Sequence, residues 1–129
     1  MQNFRQLMIL VAGPYRSGTN DKSELIEKNV KAMTDTALVV YRMGHLPVLG
    51  EWFALPLIHA AGSKKIGDEI FNEIFHPVAV DLVERCDAVF RIGGASAGAD
   101  EMVNTAKLKG KMLFHSILEI PVRIRSHNS

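Results

Sequence analysis

A chain of 129 residues, 47% apolar, with 15 Lys plus Arg against 14 Asp plus Glu, is sized for one domain with an ordinary core. Its balanced charge excludes the basic field that draws a protein to nucleic acid and the polybasic run that draws it to a membrane, so a small-molecule partner is expected. The single cysteine, Cys86, excludes an internal disulfide framework, no apolar run is long enough to span a bilayer, and the first residues lack the pattern of a secretory signal, so a cytoplasmic location is expected.

Leu7 to Val11 is a continuous apolar run closed by Gly13-Pro14, the pattern of a strand buried on both faces of a parallel sheet. It feeds the turn Ala12-Gly13-Pro14-Tyr15-Arg16-Ser17-Gly18. Asn20 and Asp21 are the expected N-caps of a long helix from Ser23, in which Leu25, Ile26, Val30, Met33, Ala37 and Val40 recur at helical spacing until Gly44. His45 to Leu49 reads as a second strand, placed at an edge by Pro47, which has no N–H for a ladder, and ending at Gly50-Glu51-Trp52. Short helices are expected over Glu51 to Ala61 and Gly67 to Phe75, with a further one starting at Pro77 and running toward Cys86. Asp87 to Ile92 reads as a third strand. It leads through Gly93-Gly94-Ala95-Ser96-Ala97-Gly98-Ala99-Asp100 into a helix from Ala99 to Leu108 ended by Gly110, and Met112 to His115 reads as a fourth strand. The tail from Ser126 is polar and expected to fray, leaving one domain over residues 1–125.

Strands alternating with helices predict a single α/β, Rossmann-like domain with a parallel sheet of four or five strands, in the order 2-1-3-4 and flanked by helices. In such a sheet, ligands bind beyond the carboxyl ends of strands one and three, where the winding direction reverses. Both glycine-bearing turns arrive there, and so does the end of strand two with Glu51 and Trp52.

Small residues at the end of a buried strand leave backbone N–H groups exposed as a seat for phosphate, and two such seats suggest a nucleotide-sized ligand. Gly13, Gly18, Gly94 and Gly98 supply the room. Arg16 can fork onto a phosphate, Tyr15 can stack on a base or hydrogen-bond a sugar, and the Ser17 and Ser96 hydroxyls suit an anion. The competing readings are a surface arginine, a half-buried tyrosine and, for Ser96, a simple helix cap. Among the acids, Asp100 and Glu101 lie in a first helical turn, where the macrodipole favours carboxylates without any catalytic purpose. Asp81 falls in a helical stretch and is expected to face solvent, whereas Glu51 beside Trp52 is less readily explained as surface. Asp87 opens a strand at the far end of the sheet. The histidines match no metal-ligand spacing, so neither a metal nor a cofactor is expected, and Cys86 reads as a buried thiol.

Ile9-Leu10-Val11-Ala12-Gly13-Pro14-Tyr15, together with Cys86-Asp87-Ala88-Val89 and Ser96-Ala97-Gly98-Ala99-Asp100-Glu101, resembles the nucleoside 2-deoxyribosyltransferase superfamily, including its small deoxynucleoside-monophosphate N-glycosidases and related domains of unknown function. The likeness covers most of the chain in element order and these motifs closely. It implies a homodimer or larger assembly, for which the run Trp52 to Ile58 can supply an interface or, equally, core. It also implies a nucleophilic glutamate four positions after Gly98, where this chain has Met102, with Glu101 one position earlier. A supporting aspartate is implied at Ala79, the nearest acid being Asp81. Two functions follow. One is cleavage or transfer at the N-glycosidic bond of deoxynucleosides or their 5′-monophosphates, with Glu101 or Glu51 as nucleophile, Asp81 assisting, and Tyr15 and Arg16 orienting the substrate. The other is a nucleotide-binding module that kept the fold and the phosphate seats without the chemistry.

Overall fold

A computed structural model describes residues 5–124; the expected frayed tail from Ser126, and the domain boundary at 125, lie outside them. The elements follow in the order β1 (Met8–Ala12), α1 (Ser23–Arg42), β2 (Leu46–Val48), α2 (Gly50–Ala60), α3 (Glu69–Arg85), β3 (Ala88–Arg91), α4 (Ala97–Leu108) and β4 (Met112–Phe114), with a final 3-10 turn at Ile117–Glu119. All pairings in the four-stranded sheet are parallel and the order is β2-β1-β3-β4, with Leu10 opposite Val48 on one side and Val89 on the other. The sheet is thus the expected one, with four strands and Pro47 on the edge strand.

The strand side chains alternate between two cores. Ile9, Val11, Ala88 and Phe90 pack with Met33 and Val40 of α1, while Leu10, Ala12 and Val89 pack with Val83 of α3 and Ala99, Val103 and Ala106 of α4. Because both faces are covered, β1 needs apolar residues at every position, which is why it appears in the sequence as an unbroken run. A third cluster joins Ala54 and Ile58 of α2 to Phe71 of α3, with Tyr15 packed against it. His45 is fully buried and ties two chain segments: its Nδ1 accepts the Leu7 N–H at 3.0 Å, and its Nε2 lies 2.5 Å from the Pro121 carbonyl. Since Nδ1 accepts, Nε2 carries the hydrogen and donates to Pro121.

Three local expectations are corrected. Asn20 and Asp21 do not cap α1: both have left-handed backbones, at φ 50° and 58°, and the N-cap is Lys22, which makes no side-chain cap bond. The break expected between Phe75 and Pro77 is absent, and α3 runs continuously through Pro77. Pro77 and Glu73, whose carbonyl loses its i+4 donor, are both exposed, so the missing bond falls on the solvated side of the helix. Pro56 and Trp52 repeat this arrangement in α2. Strand two is shorter than expected, ending at Val48, and the helix expected from Glu51 begins one residue earlier at Gly50, with Glu51 and Trp52 in its first turn. The run Trp52 to Ile58 divides, with Ala54 and Ile58 buried and Trp52, Phe53 and Leu57 about half exposed.

Leu10 is fully buried in the second core. Leu10→Ala is expected to destabilise the fold by about 2–5 kcal/mol, the range for deleting a buried leucine side chain, as read from the shift in urea midpoint at constant slope.

Candidate functional site

The carboxyl ends of β1 and β3 lie side by side, and the loops leaving them diverge around a cleft of about 260 Å³. One wall is the loop after β1, contributing Gly13, Tyr15, Arg16 and Ser17. The second is the start of α4, with Ser96, Gly98, Ala99 and Met102. The third is a face of α3, with Phe71, Asn72, Phe75, His76 and Ala79.

At the α4 wall, Ser96 is the N-cap: its hydroxyl accepts the Ala99 N–H at 3.2 Å and its carbonyl accepts the Asp100 N–H at 3.0 Å. The N–H groups of Ala97 and Gly98 come before the first intrahelical bond and have no helical acceptor. They are the donors an anion would find. Asp100 is engaged elsewhere, paired at 3.1 Å with Arg91, whose guanidinium also donates to the Gly94 carbonyl at 2.9 Å and to that of Ile92. Gly94 therefore helps shape the turn without lining the cleft.

The β1 wall is the chain between β1 and α1. Residues 13–22 form a loop and not a direct passage into a helix, so no helix N-terminus faces the cleft from this side. Gly13 begins it in close quarters: a Cβ there would lie 2.7 Å from Met33 Sδ and 3.0 Å from Ile92. The loop is braced by Asn29 of α1, which donates to the Tyr15 carbonyl at 2.9 Å, and by buried Thr19, whose hydroxyl donates to the Arg16 carbonyl. Tyr15 meets Phe75 at a 36° tilt with ring centroids 4.9 Å apart, and Phe75 stacks on Phe71 at 4.8 Å. Arg16 lies over the Phe71 ring at 5.5 Å. Gly18 is exposed and outside the cleft, as is Trp52.

No aspartate or glutamate lines the cleft. Met102 and Ala79, at the positions where the resemblance implies acids, both do. Glu101 is turned toward the rim, where its Oε1 lies 3.1 Å from His76 Nε2. The approach is off the axis of a hydrogen bond, so that buried ring nitrogen has no hydrogen-bond partner among the described residues. Asp81 is exposed on α3 and is not at the cleft.

Glu51 lies behind the wall. It is 6% exposed, and its Oε2 has no hydrogen-bond partner among the described residues. Burial pushes its carboxyl up to about 7. Its neighbour Gly50 packs against Ala79, and Glu51 itself is close enough to Tyr15 that, after burial, its charge helps to raise the phenol above its ordinary value, against the opposing effect of Arg16. Among the described residues no group of three or more His, Cys, Asp or Glu is placed to hold a metal, and no helix is long and apolar enough to cross a membrane. Buried Cys86 has its thiol pushed up to about 11 by burial.

The α3 wall escaped the sequence reading. Its signal was present as Phe71, Phe75 and Ala79 at i, i+4 spacing, with Asn72 and His76 alongside, but only an uninterrupted helix through Pro77 puts them on one face. Compared with known proteins, the chain matches no family model and no curated protein.

Glu51 makes stability depend on pH in a defined direction. Its carboxyl keeps a proton to higher pH in the folded state than in the unfolded chain, so its contribution is harmless below about pH 4.5, becomes unfavourable as pH rises toward 7, and is constant above that. Glu51→Gln is expected to leave stability unchanged at pH 4 and to raise it by up to about 3 kcal/mol at pH 8, as measured by urea unfolding at both pH values.

Proposed function

We propose that this protein binds a nucleoside or nucleotide in the cleft between the Gly13 to Ser17 loop and the start of α4. The observation that carries the reading is the joining of three complementary surfaces in one small space: the Gly98 N–H at the start of α4, which has no helical acceptor, the cation of Arg16, and the facing rings of Tyr15 and Phe75. Donors and a cation suit a phosphate, and an aromatic face suits a base. The size, about 260 Å³ and just below the roughly 300–1,000 Å³ typical of ligand sites, limits the ligand to one no larger than a single nucleotide. The resemblance of the strand-turn segments to the deoxyribosyltransferase superfamily points to deoxynucleosides or their 5′-monophosphates, and to a homodimer or larger assembly, with exposed Trp52, Phe53 and Leu57 as the available apolar face.

Binding without turnover is the reading we favour, because the cleft walls carry Met102 and Ala79 where the superfamily's acids are implied. Cleavage of the N-glycosidic bond is the second reading, and Glu51 is the observation in its favour. A buried carboxyl close enough to affect the Tyr15 phenol, with its own pKa pushed up to about 7, can donate its proton to the leaving base while water attacks the anomeric carbon and passes a proton back to the carboxylate.

Calorimetry with deoxynucleoside 5′-monophosphates tests the first reading. Arg16→Ala is expected to weaken binding by about 1.5 kcal/mol, the low end for a hydrogen bond to a charged group, because Arg16 already bonds a carboxylate of the protein. Equal affinity in wild type and variant removes Arg16 from the site. Incubation with deoxynucleosides and monophosphates, followed by chromatography for free base, decides between the readings. Release by wild type that is lost in Glu51→Gln establishes the catalytic one with Glu51 in it, and loss in Glu101→Gln instead assigns the work to the rim acid. No release from any substrate leaves the binding module.

A further inference from the structure

Arg16 is held on three sides. Its Nε donates to Asp21 Oδ1 and its Nη2 to Asp21 Oδ2, each at 2.9 Å, so the carboxylate takes one edge of the guanidinium side-on with both oxygens. The Phe71 ring lies beneath it. Gly67 closes the back: a Cβ there would come within 2.6 Å of Nη2, and its φ of +85° is one that side chains rarely adopt. Arg16 lines the cleft, and an anion that reached its guanidinium there would compete for the edge that Asp21 occupies.

The Asp21 side of the pair is built to let go. Its side chain is 45% exposed, so water receives the carboxylate once it leaves. Asn20 and Asp21 are consecutive left-handed residues, a conformation that Asn and Asp tolerate better than other side chains and that costs some backbone energy even for them. Apart from the pair, Asp21 is tied by its N–H to the Thr19 hydroxyl at 3.1 Å. Its negative charge is one unit, whereas a phosphate monoester brings about 1.5 to 2 at neutral pH with three acceptor oxygens.

Resting on the reading of the cleft as a nucleotide site, we propose that Asp21 holds the place on Arg16 that a ligand's phosphate takes. Binding then exchanges carboxylate for phosphate, and Asp21 tempers the cleft's preference for phosphate monoesters over unphosphorylated nucleosides. A dianionic phosphate displaces the weaker carboxylate, while a neutral nucleoside offers nothing for the fork and leaves the Arg16–Asp21 pair closed. Asp21 thereby lowers the affinity for every anion that must displace it from Arg16 and leaves that for a neutral nucleoside unchanged.

Titration calorimetry of wild type and Asp21→Asn with inorganic phosphate, a deoxynucleoside 5′-monophosphate and the matching deoxynucleoside tests this. Asparagine keeps the side-chain shape and tolerates the left-handed backbone. The affinities for phosphate and monophosphate are expected to rise about two- to five-fold, the scale of an exposed ion pair, with the affinity for the nucleoside unchanged. Unchanged or weaker monophosphate binding, or an equal gain for the nucleoside, overturns the proposal and makes Asp21 a positioning residue. If none of the three binds either protein, the nucleotide reading falls and takes the proposal with it. In wild type alone, titration with inorganic phosphate followed by amide NMR is expected to shift the Asp21 and Thr19 signals along with those of Ala97 and Gly98. Shifts at Ala97 and Gly98 with Asp21 and Thr19 unmoved also overturn it.

Discussion

Burial of β1 and β3 on both faces is the constraint from which the rest of the molecule follows. Ile9 and Leu10, adjacent in sequence, point into different cores, and both are fully excluded from water. Neither core can close without a helical layer, so α1 must cross to one face while α3 and α4 cover the other. Right-handed crossovers on opposite faces force the chain leaving β1 and the chain leaving β3 to part. The gap between them is the cleft. Its position at the carboxyl ends of the central strands is thus a by-product of covering the sheet, independent of the residues that line it.

What those residues add is an electrostatic asymmetry. The cleft walls present Arg16, the Gly98 N–H at the start of α4 and a histidine, and no acid. The nearby carboxylates are each kept out of it in a different way: Asp100 by Arg91, Glu101 by its position at the rim beside His76, Asp21 by its grip on Arg16 from the loop side, and Glu51 by burial behind Tyr15. A site arranged so favours negative ligands, and its aromatic flank of Tyr15 and Phe75 favours one with a flat apolar part. Glu51 is the exception in energy. It is a buried carboxylate with an oxygen that has no partner among the described residues, and burial pushes its pKa up to about 7, which lessens the cost of burying its charge below that pH.

Three helical signals are present in the sequence, and the structure uses each in a way that the local residues leave open. Pro77 indicated a break, yet on an exposed helix face a proline costs one hydrogen bond that water replaces, and burial of Phe71, Ala79, Leu82 and Val83 against the body outweighs that cost. Asn20 and Asp21 indicate caps, but both are left-handed, and Asp21 is held in the loop by Thr19 and Arg16. Glu51 opens a helix as its position after Gly50 predicts, but only the packing of that helix start against Ala79 of α3 buries it. In each case the local residue type is compatible with two arrangements, and contacts with other segments, near or distant in sequence, select one.

The sequence by itself determined the class of fold, the parallel sheet with its edge proline, the adjacency of strands one and three, and the convergence of two glycine-bearing turns on one crevice. These follow from patterns repeated along the chain, in which apolar runs must be buried and the crossovers have one hand. Only the tertiary structure decided which side chains meet across that crevice. Whether Arg16 faces a ligand or Asp21, whether Glu51 is wet or buried, and whether α3 supplies a wall at all depend on packing between segments far apart in sequence. At that level a helical rotation of one position, about 100°, separates Met102 at the cleft from Glu101 at its rim.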